Sequence, residues 1–282
     1  MSKITNDFSK FNRIREQFSR KRNSITNVSE VDSENGFKTL RILWLYPDVM
    51  HLHGGRGDVM GILHICNMLE LPVEIKRWDN MNEEIPWNWP HMIYMNGGEI
   101  KCMPEIVAAL QRQRKSLDDY LARGGWFITC ASTGSILSDR YERLDGTSVE
   151  GLGLLHMTWR ERKMPWGDDI WFKTADGQEV IGNQIQVADV ELAEGQEPLG
   201  TLVYGRGNNG GTDEGARTGN VIFTNCLGPM PTKNPEFMAS LLVAAADAVD
   251  IKHTASITDE MIQVEKESAE YIKKFMKDKM DK

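Results

Sequence analysis

The sequence contains few cysteines, and their placement argues against two kinds of site. They lie far apart in a chain of 282 residues, at Cys66, Cys102, Cys130 and Cys226. Such spacing favours neither a disulfide framework nor a zinc-binding motif. We therefore expect a protein of a reducing compartment, the cytoplasm, with no metal site and no cofactor.

Long apolar runs and an excess of positive charge are also missing. No apolar segment approaches the ~18 residues needed to cross a bilayer, and none near residue 1 is typical of a signal peptide. The 33 basic and 41 acidic residues give a net charge of −8. Because nucleic-acid-binding domains usually carry a basic face, this balance argues against nucleic acid as the main partner. We expect no membrane span.

The composition that remains is that of a folded protein, with 40% apolar and 26% charged residues. We divide the chain into a polar N-terminal extension, a folded body and an amphipathic C-terminal helix, at 1–38, 39–250 and 251–282. Apolar residues of the extension recur at helical spacing and predict a short helix, with a frayed tail as the alternative: Phe8, Phe11, Ile14 and Phe18. Residues 24–36 are typical of a linker.

In the first half of the body, strand patterns alternate with helix patterns. Four strands are predicted, at 41–46, 73–75, 92–95 and 126–130. A helix follows the glycine-rich loop at 54–57, and a second is predicted at 104–122, between Pro104 and Gly124. This alternation predicts an α/β fold with a doubly wound, mostly parallel sheet flanked by helices. Ligands of such sheets gather at the carboxyl ends of the strands, where three predicted loops meet.

The second half is rich in strand patterns. Strands are predicted at 170–172, 180–192, 199–204 and 221–224, and a helix at 235–249. A last helix is predicted to begin near Thr258. Its apolar stripe either docks on the body of the chain or forms a surface for a partner or for self-association: Ile257, Met261, Val264, Ile272, Phe275 and Met276.

Cys130 lies where the fourth strand turns into a helix. We expect the bend itself at Cys130, with Ala131 and Ser132 small enough to begin the helix. The amino end of a helix favours thiolate over thiol, so this placement suits a nucleophile. A free cysteine is equally often a small core residue, and both interpretations stay open on this stretch.

Several motifs, in order and with similar spacing, resemble the class I glutamine amidotransferases of the CobB/CobQ type, and among them the GatD-type glutaminase subunits of lipid II isoglutaminyl synthase. The resemblance covers roughly 40–246. It rests on motifs at 45–48, 54–58, 97–98, 130, 151–155, 198–200, 205–209, 228–229 and 233–235.

This resemblance implies a site and a partner. Cys130 would attack the side-chain amide of glutamine or a related molecule, and the N–H groups of Gly98 and Ala131 would form the oxyanion hole. Substrate binding is assigned to Gly97, Arg56, Asn208 and Asn209. The ammonia would pass to a partner, a Mur-ligase-like synthetase or another subunit, because the sequence has no GxxxxGK[ST] loop for ATP.

The sequence departs from the family at this site. Leu227 stands where the family has its catalytic His, directly before Gly228-Pro229. Ile128 and Ser132 replace glycines two residues before and after Cys130, and Gly134 replaces a glutamine. The expected Asn-His-Gly-Gly-Arg-Thr motif is replaced by Asn-Gln-Ile-Gln-Val-Ala at 183–188.

These losses fall on one site, so they favour a subunit whose activity is lost or altered. An active glutaminase subunit with a rearranged Cys130 site is the alternative, with His51 or His53 in place of the missing His. A redox or metal role for Cys130 with Cys226 is a further, weaker hypothesis.

Overall fold

The computed structural model describes residues 26–28 and 38–281. The helix predicted from Phe8 to Phe18 lies outside these residues. Within the predicted linker, residues 26–28 form a short strand instead, because their backbone pairs antiparallel with Glu74, Ile75 and Lys76 of a body strand.

The described residues form the following elements. The strands are β1 (Thr26–Val28), β2 (Leu40–Leu45), β3 (Val73–Trp78), β4 (Met92–Met95), β5 (Trp126–Cys130), β6 (Arg140–Glu142), β7 (Ser148–Glu150), β8 (Met157–Thr174), β9 (Glu179–Leu192), β10 (Gly200–Tyr204), β11 (Asp213–Glu214), β12 (Ala216–Thr218) and β13 (Val221–Thr224). The helices are α1 (Gly55–Met68), α2 (Met103–Gln111), α3 (Arg114–Ala122), α4 (Gly134–Leu137), α5 (Met230–Lys233), α6 (Pro235–Asp247) and α7 (Gln263–Met280).

The first sheet confirms the predicted α/β architecture. Its strand order is β1-β3-β2-β4-β5-β13-β12. The five central strands are parallel, and the two edge strands β1 and β12 pair antiparallel. Parallel strands need crossover connections, and the helices that supply them cover both faces of the sheet.

Alternate side chains of each central strand enter different cores. Ile42 and Ile128 pack on the face covered by α1 and α6, whereas Leu43 and Phe127 pack on the face covered by α2, α3 and α4. This two-sided burial explains why these strands are almost continuously apolar in sequence.

The second sheet is mostly antiparallel and has the order β11-β10-β8-β6-β7, with β9 paired along β8. It contacts the first sheet through side-chain packing and through backbone hydrogen bonds. Trp159 meets Phe223 with ring centroids 5.3 Å apart. Asn183 of β9 forms an isolated bridge with Leu227, which follows β13. The part of β9 around Asn183 therefore lies beside the carboxyl ends of the parallel strands.

Two predicted helices differ from the structure. The helix predicted at 104–122 is broken into α2 and α3 at Gln113, whose side-chain oxygen accepts hydrogen bonds from the Ile85 amide and the Trp87 indole. Tertiary bonds thus outweigh the local helical pattern. The last helix begins at Gln263 rather than at Thr258, because Thr258 opens a separate turn closed by the Met261 amide.

Asn234 is buried between α5 and α6, and its side chain clamps this junction onto β9 of the second sheet. Its side chain bonds both backbone groups of Ile181 in β9, at 2.7 and 2.8 Å, and the Met230 carbonyl at 2.9 Å.

We predict that Asn234→Ala lowers the free energy of unfolding by about 2–4 kcal/mol, because it leaves buried backbone groups unpaired. Urea unfolding measures this. The control Asn220→Ala removes one half-buried bond to Gly124 and should cost about 1 kcal/mol. Equal losses would contradict the clamp.

Candidate functional site

The predicted loops do meet at one edge of the first sheet. A methyl group placed on Gly97 would lie 3.1 Å from the Cβ of Ala131 and 3.8 Å from Cδ2 of Leu227. The amide of Leu52, in the first loop, donates to the Gly97 carbonyl at 3.0 Å. Gly97, Ala131 and Leu227 therefore form one point of convergence, although they are far apart in sequence.

The bend after β5 lies one residue later than predicted. Cys130 has an extended backbone, with φ −124° and ψ 140°, and is the last residue of the strand. Ala131 has φ +51°, a left-handed conformation that non-glycine residues rarely adopt. Such strain costs on the order of 1–3 kcal/mol and is common where a fold presents a reactive side chain. Here the strained residue presents a methyl group.

The Cys130 thiol is packed inside the protein. Its side chain is 1% exposed, and its sulfur lies 3.3 Å from the Tyr94 hydroxyl. Burial raises the pKa of this thiol well above its ordinary range, and the nearby Asp58 carboxyl raises it further. The helix expected to favour the thiolate is short, a 3-10 turn at Ala131–Thr133 followed by the four residues of α4, and burial outweighs it.

Ser132 occupies the hydrogen-bonding groups of Gly98. The Gly98 N–H donates to the Ser132 hydroxyl at 3.0 Å, and the same hydroxyl donates to the Gly98 carbonyl at 2.8 Å. The Gly98 N–H is the group that the resemblance assigns to the oxyanion hole. An oxyanion needs this donor directed at its own oxygen, so the Ser132 side chain competes for it.

A buried polar network lies behind these residues. Asp58 accepts hydrogen bonds from the Asn96 side chain and, at 2.9 Å, from the Met230 backbone amide. The Trp44 indole donates to Asn96 at 2.7 Å. Burial raises the pKa of Asp58 to about 7. The network joins the amino ends of α1 and α5 to strands β2 and β4, and sequence patterns do not reveal it beyond the position of Asp58 after a glycine-rich loop.

Leu227 is held firmly at its position. Its backbone exchanges two hydrogen bonds with Asn183, at 2.7 and 3.1 Å, and its side chain is 4% exposed. The Asn183 side chain in turn accepts from Lys233 at 2.7 Å. The motif at 183–188 and the motif before Gly228-Pro229 are therefore neighbours in space, as the resemblance implies.

The known proteins that are similar to this chain include two GatD subunits. No protein-family model matches the chain. It is 25% identical over 223 residues to subunit GatD of lipid II isoglutaminyl synthase (glutamine-hydrolyzing) from Streptococcus pneumoniae (strain ATCC BAA-255 / R6), covering 78% of this chain and 85% of that one. The same subunit of Staphylococcus aureus (strain N315) is 22% identical over 209 residues, covering 74% and 85%.

The chain is a glutamine amidotransferase-like protein similar to GatD. A chain in the structure of PurLQS from Thermotoga maritima matches the fold, with a TM-score of 0.50 and 13% identity, over 75% of this chain and 100% of that one. In the described part of the GatD-like chain, no helix is long and apolar enough to cross a membrane.

Of the remaining predicted site residues, two are exposed and one is buried. Arg56 and Asn209 are exposed at the edge of the sheet. Asn208 is buried, and its side chain donates to the Gly215 carbonyl at 2.7 Å. Beside it, the fully buried carboxyl group of Glu214 accepts from the side chains of Thr224 and Asn225. Asn208 thus closes the loop at 205–215 on itself, and Glu214 holds this loop onto the end of β13.

The histidines considered as substitutes do not bond the thiol. His51 and His53 are exposed in the first loop, and the described hydrogen bonds of the Cys130 side chain include no imidazole. Cys226 is also a buried free thiol, and its sulfur points to the Ile181 carbonyl at 3.4 Å. Among the described residues, no group of three or more metal-binding side chains is found.

The burial of Cys130 predicts low thiol reactivity. At pH 8, we expect a disulfide reagent such as DTNB to modify the half-buried Cys102 first, and Cys66, Cys130 and Cys226 only on unfolding. Cys102→Ser should remove the fast phase, whereas Cys130→Ser should leave it unchanged. A fast phase that disappears in Cys130→Ser would mean that the thiol is accessible and activated.

The raised pKa of Asp58 predicts pH-dependent stability. A carboxyl group with a pKa near 7 in the folded chain and about 3.9 unfolded stabilises the fold below pH 4, and this contribution is lost as the pH rises through 7. From pH 5 to 8, we expect about 3 kcal/mol of the free energy of unfolding to be lost through this group. Asp58→Asn should flatten the slope by that amount in chemical denaturation. An unchanged slope would mean that Asp58 is ionised in the folded chain.

Proposed function

We propose that this chain is a non-hydrolysing GatD-like subunit, which retains the amidotransferase fold but no longer releases ammonia from glutamine. The observation that carries the proposal is the side chain of Ala131. In enzymes that place their nucleophile on a strand-to-helix turn, the strained residue of the turn presents the reactive group. At this turn the strained residue is alanine, and the neighbouring thiol is directed into the core.

Three further features support the loss of hydrolysis. The Gly98 N–H already has a partner in Ser132. Leu227 places a hydrocarbon near Gly97, which also adjoins Ala131, at the position where the resemblance implies a proton carrier. Burial opposes ionisation of Cys130. General acid–base catalysis contributes about 10²–10⁴-fold, and a missing nucleophile removes the covalent route altogether.

A subunit of this kind acts by binding. We propose that it pairs with a Mur-ligase-like synthetase in the cytoplasm and that the pair takes its nitrogen from free ammonia. Without a functional glutaminase site, the chain would bind and stabilise its partner but would not supply it with ammonia.

Glutamine hydrolysis by the purified chain tests the first half of the proposal. We expect ammonia release from glutamine at the background rate, equal for the wild type and for Cys130→Ala. Cys226→Ala is the matched control, because it removes another fully buried thiol from the same core. Release that is abolished by Cys130→Ala but kept in Cys226→Ala would identify Cys130 as the nucleophile of an active enzyme.

The nitrogen source of the complex tests the second half. When the chain is co-purified with its synthetase, the complex should catalyse ATP-dependent amidation with an ammonium salt as the nitrogen source. It should not do so with glutamine as the nitrogen source. Amidation from glutamine would contradict the loss of hydrolysis. Failure of a Mur-ligase-like synthetase to co-purify would contradict the choice of partner.

A further inference from the structure

The C-terminal helix α7 carries two apolar stripes rather than the one predicted. The inner stripe, Ala269, Ile272 and Met276, packs on Trp171 and Ile181 of the second sheet. The sequence predicts one stripe of six apolar residues. Of these six, only Ile272 and Met276 belong to the inner stripe of α7. The predicted docking on the body of the chain is therefore made by part of the stripe alone.

Ion pairs fix the orientation of α7 on the body. Lys273 binds Glu179 at 2.6 Å, and Lys279 binds Asp168 at 2.8 Å. Lys273 and Lys277 also lie over the Trp171 ring, at 5.7 and 5.3 Å from its centroid. A helix held at its middle and at its C-terminal end in this way presents its remaining surface in a constant orientation.

The outer stripe of α7 is exposed and has the spacing of a helix-pairing seam. We define it as Val264, Ser268, Tyr271 and Phe275. The exposed fractions of its three large residues are 76% for Val264, 79% for Tyr271 and 52% for Phe275. Single exposed apolar residues are normal, but spacings of four, three and four residues are those of the core positions of a coiled coil.

The outer stripe is complementary to itself when two copies run antiparallel. With the centre between residues 269 and 270, Val264 lies opposite Phe275 of the other copy. Ser268 then lies opposite Tyr271, so each layer pairs a small residue with a large one. Both layers occur twice, which is the mark of an isologous two-fold contact.

The charges that flank the stripe fit the same register. In this arrangement Glu267 of one copy lies beside Lys274 of the other, and the pair occurs twice. Both residues are exposed. A parallel arrangement would instead place Glu267 beside Ile272 of the other copy and Lys274 beside Lys279, a pair of like charges, which is less favourable.

The outer stripe lies to one side of the contact between α7 and the body. At 100° per residue, its centre is roughly 100° around α7 from the centre of the inner stripe. A helix that covered the outer stripe would therefore lie beside α7 and not between α7 and its own body. We propose that the outer stripe of α7 is a self-association surface, paired antiparallel with the same stripe of a second copy about a two-fold axis.

Charge exchange tests both the surface and its register. The paired seam is short, so we expect the wild type to shift from monomer to dimer with a dissociation constant on the order of 10 µM, measured by sedimentation equilibrium. Glu267→Lys and Lys274→Glu should each weaken the dimer at least about tenfold, because each places like charges together twice. The double variant in one chain should restore wild-type association.

Two controls separate this surface from general effects. Glu194→Lys makes the same charge change in an exposed turn that follows the C-terminal end of β9. It should leave the dimer unchanged. Tyr271→Glu should give a monomer with an unchanged circular dichroism spectrum, since the side chain is exposed. A wild type that is monomeric at all concentrations, or a double variant that associates no better than the single ones, would overturn the proposal.

Discussion

The turn between β5 and α4 depends on side-chain hydroxyl groups that hold a strained backbone in place. Thr133 accepts from the Cys130 amide at 3.2 Å and donates to the Cys130 carbonyl at 2.7 Å. Ser132 binds both backbone groups of Gly98 in the neighbouring loop. These bonds allow Ala131 to keep φ +51° without glycine. The Ser132 bonds also occupy the Gly98 N–H, which is the group that the resemblance assigns to the oxyanion hole.

Burial connects this turn to the rest of the protein. Cys130 lies in the same core as the side chains of α1 and α6, and its neighbour Tyr94 is fully buried. Asp58, in the network behind, keeps a proton up to about pH 7 because water is excluded. A site meant to ionise a thiol would need the opposite environment, with solvent access or a cation nearby. The residues at the edge of the sheet therefore favour a stable, neutral interior over chemistry.

The two surfaces of the molecule then have different roles. The carboxyl edge of the parallel sheet keeps the arrangement of the amidotransferase-like fold, whereas the reacting positions are apolar. On the second sheet, α7 is anchored by its inner stripe and leaves the outer stripe in solvent. Binding, rather than turnover, is the property that we propose for both surfaces. The synthetase and a second copy of the chain would contact separate regions.

The sequence alone determined the alternation of strands and helices, the parallel sheet and the edge where its loops meet, because apolar periodicity and glycine positions are local properties. Through the resemblance, it also predicts that Leu227 stands in place of a catalytic histidine. Tertiary structure decided which residue takes the strained turn, since the local sequence does not distinguish a bend at Cys130 from a bend at Ala131. It likewise decided that Ser132 bonds Gly98, that Gln113 breaks a helix and that Phe275 faces outward. Each of these depends on contacts between residues distant in sequence, or on which side of an element is covered, and no local pattern contains that information.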